Sequence, residues 1–215
     1  MSERVLILGI DTSADGDLAL AELLDGGSAK LLAQQTLDPR RQSAELLPKL
    51  SLLLESSQAS VNALSAIVTV NGPGSFTGLR IGISAAKGLA EAANIPVIAV
   101  SSLAVVGYSA KNGTVAVLQA GRSEYYVSID GRESLESEAD LPALLGDRPV
   151  VITDPKLAEK FPSLQATIGE AGAFAAILTV LSRFQAGDFD DTSTLDANYV
   201  RRPYTEANAE AKVAS

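Results

Sequence analysis

Two short stretches hold residue types that could do chemistry. Asp11, Thr12 and Ser13 follow an aliphatic run at 5–10 and set a carboxylate beside two hydroxyls where a strand should end. Residues 71–82, NGPGSFTGLRIG, make a glycine-rich turn that feeds a helix, with Ser75 as a cap. Free N–H groups at a helix start suit an anion. Asp11, Thr12, Ser13, Gly72, Gly74, Ser75 and Thr77 are therefore candidates for a nucleotide or anion contact. The spacing departs from the common phosphate loops. Gly72, Gly74 and Gly78 make G-x-G-x-x-x-G, one residue longer than the dinucleotide fingerprint, and neither an acidic ribose ligand nor a Gly-Lys-Ser/Thr follows. The competing reading is that the loop simply launches a closely packed helix.

Composition narrows the chemistry further. The 215 residues include no His and no Cys, which removes disulfides, thiolate nucleophiles, zinc sites built on those ligands and every His-based triad. The balance of 26 acidic to 17 basic residues gives a formal charge of −9, which disfavours direct binding of nucleic-acid backbones. A nucleic-acid role would thus need a partner. Hydrolysis would need a Ser-Lys pair or a carboxylate dyad; Ser84 and Lys87, three apart on a predicted helix, are the nearest approach to one, and solvent exposure explains them better. The longest apolar run, 171–182, is too short to span a bilayer, and the N-terminus enters a strand pattern at once, so the reading is a cytoplasmic protein.

The elements that must position these residues read as follows. Strands are expected at 5–10 and 17–23, with a third returning after the Asp25-Gly26-Gly27 turn. Leucines at helical spacing over 45–56 predict a helix capped by Ser43, with Pro48 tolerated near its first turn. A buried strand at 64–70, a helix over 75–93, a strand at 95–100 and a helix capped at Ser101-Ser102 complete a first unit. In the long helix Gly78, Gly82, Ala86 and Ala90 recur every fourth residue, and helical glycine costs about 1 kcal/mol relative to Ala, so a close neighbour is expected. A second unit should hold paired strands at 114–121 and 124–130, a short helix at 139–146, a strand at 149–154 and a helix over 170–185. The expected division is 1–100 and 101–202, each an α/β lobe, with 203–215 a flexible tail.

Asp11-Thr12-Ser13 resembles the first phosphate turn of actin-like ATPases, without the glycine usual there. With it, ILGIDTS and LALAEL, QSAELLPKLSLLL, VNGPGSFTGLRIGISAAKGLA and IPVIAVSSL, in that order, resemble the TsaB (YeaZ) family of bacterial tRNA threonylcarbamoyladenosine (t6A) biosynthesis. GPGSFTGLRIG is the most specific of these. Three positions depart from the family pattern: Gln42 stands for a His, Gln119 for an Asp with the arginine displaced to Arg122, and ANYVRR at 197–202 lacks a proline.

The resemblance implies a two-lobed actin-like (ASKHA, ribonuclease H-like) α/β fold with a degraded nucleotide site. It also implies a noncatalytic accessory role beside a TsaD-like protein, which transfers a threonylcarbamoyl group to adenosine 37 of tRNA, and a TsaE-like ATPase. ATP or ADP and Mg²⁺ then belong to the partner subunits, tRNA is met only through the complex, and the free chain pairs with itself. Stand-alone ATPase and glycoprotease-like peptidase are the alternatives. By the same resemblance the partner surface lies on the two helices of the first lobe, at Leu46, Lys49, Leu52, Leu53, Gly78, Arg80, Ile83, Ser84 and Lys87. Of the helix leucines, Leu47, Leu50 and Leu54 are expected in the core and Leu52 outward.

Overall fold

The computed structural model describes residues 4–108, 110, 113–121 and 123–200. Arg122, Arg201, Arg202 and the expected tail at 203–215 lie outside the described residues.

Strands β1 (Val5–Asp11), β2 (Asp17–Leu23) and β3 (Ala29–Thr36) form an antiparallel meander, and β4 (Leu64–Gly72) and β5 (Val97–Ser101) join β1 in parallel. The order is β3-β2-β1-β4-β5. A second sheet repeats it: β6 (Val115–Gln119), β7 (Glu124–Ile129) and β8 (Arg132–Ser137) form the meander, while β9 (Val150–Ile152) and β10 (Ala166–Ile168) add in parallel. Its order is β10-β9-β6-β7-β8. Counted in chain order, each sheet runs 3-2-1-4-5, and this repetition is the two-lobed actin-like architecture.

Alternation along β1 explains the layers, because successive side chains point to opposite faces. Leu6, Leu8 and Ile10 enter one core with the leucines of α1 (Gln42–Ser56) and with Ala86 and Ala90 of α2 (Phe76–Ala93). Ile7 enters the other, with Val105 of α3 (Ser102–Gly107) and with α6 (Ala173–Thr179). Thus α6, from the stretch expected to belong to the second lobe, packs on the first sheet. Helix α3 faces both lobes, since Leu103 and Val106 pack with Ala116, Tyr126 and Val151 of the second. The far side of the second sheet is covered by α4 (Leu141–Leu145) and α5 (Pro155–Lys160).

Two helix expectations are corrected. Helix α1 starts at Gln42, not near Glu45, and Ser43 is not its cap; Arg41 takes that place without a side-chain cap bond. The early start is held by Arg41 O, which accepts from Ala44 and Glu45 N–H, and by the Glu45 carboxylate, which accepts from Asp38 N–H at 3.0 Å. Pro48 consequently sits inside the helix, where it withholds the N–H that Ala44 O would receive. The single helix expected over 170–185 is two, α6 and α7 (Leu181–Gln185). The break falls after Thr179, whose hydroxyl turns back on Ala175 O at 2.8 Å, a bond that competes with the helical ladder. Strands β8 and β10 and helix α5 are additions to the sequence reading. Among the described residues no helix is long and apolar enough to cross a membrane.

Candidate functional site

A cleft opens between the lobes where β1 turns into β2. Two adjoining depressions of about 540 and 200 Å³ share Asp11, Ala14, Thr153, Asp154, Ala171 and Gly172. Asp15 and Asp17 line the larger; Pro73, Gly74, Gln119 and Tyr126 line the smaller. Of the sequence candidates, Asp11, Ser13 and Gly74 border this cleft, and Thr12 lies fully buried behind it. Thr77 does not join them. It is exposed on the far side of α2, in a depression with Phe76, Arg80, Ile81 and Ser84.

The polar groups of the turn are engaged with one another. Asp11 Oδ1 accepts from the Ser13 N–H at 2.8 Å and from its hydroxyl at 2.7 Å. Burial pushes the Asp11 carboxyl above the usual carboxylate range, the two Ser13 bonds oppose that shift, and the nearby Asp17 charge adds to it. Asp17 is raised by burial as well, against the pull of Gln34 Nε2 at 2.6 Å and the Ala173 N–H at 2.9 Å. Through that last bond Asp17 ties the β1–β2 turn to the start of α6. Gln42, where the resembled family has His, is buried and donates to Ala14 O at 2.8 Å. It therefore anchors α1 to the same turn. Gln119 is spent locally, donating to Gly121 O at 2.9 Å.

The glycine loop closes onto this turn. Ser75 N–H donates to Ser13 O at 2.7 Å, and the Ser75 hydroxyl accepts from Gly78 N–H at 3.2 Å as the predicted cap. Thr12 Oγ1 donates to Gly78 O at 2.8 Å. A Cβ at Gly78 would overlap Thr12 O, and one at Gly82 would overlap Thr12 Oγ1. The close neighbour implied by the small-residue stripe is thus the strand turn of the same chain.

These contacts test whether a nucleotide fits. The Ser13 and Ser75 amides and the Gly78 amide are already bonded within the chain. The described residues that line the two depressions include Asp11, Asp15, Asp17 and Asp154 and no Lys or Arg. Four carboxylates repel a triphosphate, and no three His, Cys, Asp or Glu among the described residues converge as a metal site would need. The described lining of the cleft is thus unfavourable to a polyphosphate. A Ser-Lys reading fares no better, since Ser84 is exposed and Lys87 Nζ donates to Leu195 O at 3.0 Å.

The outer face of α1 and α2 is the second candidate region. Leu52 is 56% exposed, as the leucine spacing requires, but so is Leu47, against expectation. Leu47 and Leu54 share a side of the helix; the chain returns at Ala59, whose N–H bonds Leu54 O, and only Leu54 is buried. Leu46 and Leu53 lie inside the chain's own core and Gly78 and Ile83 are buried on α2, which corrects their reading as partner-facing. Leu50 is core as expected. Lys49 bonds Thr36 O and Glu45, both at 2.6 Å. Arg80 donates to the Tyr199 hydroxyl at 3.0 Å and lies 3.9 Å from the Phe76 ring centroid. Tyr199 was not legible as a site residue, because only folding brings it to α2.

The fold and this helical face define a class: a two-lobed actin-like α/β protein whose β1 turn and glycine loop are bonded to each other. Comparison narrows it. Residues 32–146 match the family model for TsaD, tRNA N6-adenosine threonylcarbamoyltransferase. The tRNA threonylcarbamoyladenosine biosynthesis protein TsaB of Escherichia coli is 39% identical over 116 residues, 53% of this chain and 48% of that protein. The protein of the same name from Haemophilus influenzae is 33% identical over 143 residues, 63% of this chain and 58% of that one. The chain thus spans about half the length of these curated relatives. A crystal structure from Pseudomonas aeruginosa, described as an uncharacterized protein with similarity to peptidase YeaZ, superposes with a TM-score of 0.69 at 25% identity and covers 92% of this chain and all of that one. The chain belongs to the family that the TsaD model describes and, within it, to the TsaB (YeaZ) group.

Proposed function

We propose that this chain is a noncatalytic accessory subunit of t6A biosynthesis. It docks through the outer face of α1 and α2 on a TsaD-type protein, a TsaE-type ATPase joins them, and the assembly supports threonylcarbamoyl transfer to adenosine 37 of tRNA in the cytoplasm. Without that partner the same face pairs two copies of the chain. Nucleotide and Mg²⁺ belong to the partner subunits, and the net charge of −9 favours contact with tRNA through them.

The observation that carries this reading is the apolar surface left on one helical layer. Leu47 and Leu52 flank the outer side of α1, and Phe76, 49% exposed, stands at the start of α2. On the same helix Gly88 is exposed with nothing within 4 Å of the Cβ it lacks. An exposed helical glycine costs about 1 kcal/mol relative to Ala and has no reason within the chain, whereas a second backbone could approach it closely. The acidic lining of the cleft supports the noncatalytic half of the proposal.

The test is light scattering on a sizing column, with the chain alone and mixed with the TsaD-type protein of the same organism. A 1:1 species should form at the expense of the free chain, and Leu52→Asp should weaken it at least about tenfold. Association untouched by Leu52→Asp would remove α1 from the docking face.

A further inference from the structure

After α7 the chain runs back across the first lobe. At one end it is pinned by Asp190, whose N–H donates to Val97 O at 2.9 Å and whose carboxylate accepts from Ala99 N–H at 2.7 Å and from Arg183 at 3.2 Å. At the other end Asn198 donates from its N–H to Asn71 O and from its side chain to Glu133, both at 2.7 Å. Glu133 also accepts from Ser101, and Val200 packs on the core around Leu103 and Tyr126, so this end joins both lobes. Between the pins the segment crosses the outer side of α2. There it is held by Lys87 on Leu195 O, and just past the second pin by Arg80 on the Tyr199 hydroxyl and by the Tyr199 ring stacked on Phe76 at 5.2 Å. A groove of about 480 Å³ lies between Arg80, Ser84 and Lys87 on α2 and Ser193, Thr194 and Asp196 on the segment.

The basic residues of α1 and α2 are Lys49, Arg80 and Lys87, and all three are bonded within the chain. On α2 the segment supplies the hydrogen-bond acceptors, an exposed Tyr199 hydroxyl for Arg80, which also lies over the Phe76 ring of its own helix, and a part-buried Leu195 carbonyl for Lys87, contacts of a kind that is individually weak. We propose that residues 191–200 form an intramolecular strap that holds the place of a partner on α2. Its phenol and carbonyl satisfy Arg80, Lys87 and Phe76 in the free chain. A docking helix or loop that brings carboxylate or carbonyl acceptors and an aromatic ring displaces them, while the pins at Asp190 and Asn198 keep the strap attached. This inference rests on the reading of α1 and α2 as the docking face. Because binding competence requires an open strap, the strap lowers the apparent affinity by the fraction of chains in which it is open.

The experiment is calorimetric titration of the full chain, Tyr199→Ala and Tyr199→Phe into the TsaD-type protein, with thermal melts to confirm that each variant is folded. Tyr199→Ala should bind about tenfold tighter than the unaltered chain, and Tyr199→Phe, which keeps the ring on Phe76 but loses the acceptor for Arg80, should fall between them. Equal or weaker binding by Tyr199→Ala overturns the strap while leaving the docking face intact. No association by either the unaltered chain or Tyr199→Ala overturns the docking reading and the strap with it.

Discussion

Gly78 and Gly88 sit on one helix and face opposite surroundings. Gly78 is buried against Thr12, so tightly that a Cβ would overlap its carbonyl oxygen; Gly88 is exposed and meets nothing. The inner side of α2 is shaped by the chain itself, because backbone must reach backbone for the β1 turn and the helix start to exchange hydrogen bonds. The outer side carries the same residue type with no internal cause. A small residue in a helix therefore reports a close approach only when the structure shows what approaches, and on α2 the two answers are the chain's own strand turn and a surface left open.

The largest effect should come from breaking the inner contact. Gly78→Ala forces its methyl into Thr12 backbone, which cannot rotate away, and should destabilise the fold by about 3 kcal/mol or more in a denaturant titration. Loss well below 1 kcal/mol would mean that the helix and turn part easily.

A smaller effect of opposite sign is expected from the buried charge behind that contact. Burial raises the folded-state pKa of Asp11, so the folded chain keeps a proton that the unfolded chain has already lost. Its stabilising contribution is present at low pH and is lost as pH rises from the usual carboxylate range, about 3.9, through the raised value. Asp11→Asn keeps an oxygen to accept the Ser13 bonds and removes the charge. It should stabilise by about 1 kcal/mol at neutral pH, with the gain shrinking toward pH 4 in melts across the range. A gain independent of pH would assign it to something other than that carboxylate.

The smallest effect sharpens the outer side. Gly88→Ala should raise stability by about 0.5–1 kcal/mol, since the methyl meets open space and the unfolded chain loses freedom. The same variant should weaken association with the TsaD-type protein. Stability gained with association unchanged would place the docking contact elsewhere on the two helices.

Much of the first lobe was legible because its signals are local. The aliphatic run of β1, the Asp25-Gly26-Gly27 turn and the Ser75 cap each depend on neighbours within a few residues, and each appears where local hydrophobicity or turn chemistry puts it. The start of α1 was misplaced because bonds from Arg41, Glu45 and the buried Gln42 outweigh the weak signals of Ser43 and Pro48. Strand β10 has only three residues, too few for a period to show. In the candidate site, Asp11, Ser13 and Gly74 do meet, but Thr77 cannot, because helical rotation turns it to the opposite side of α2.

By itself, the sequence determined most elements of the first lobe, the absence of histidine and cysteine chemistry, and the family motifs, since all of these are matters of residue type and short-range spacing. Tertiary structure decided what the spacing was for. It sent Leu46 and Leu53 inward while leaving Leu47 and Leu52 at the surface, turned Asp17 into a tie to α6, and laid Tyr199 over Arg80. Helical periodicity constrains which residues share a side; only the packing of sheet, helices and returning chain determines whether that side is covered, and by what.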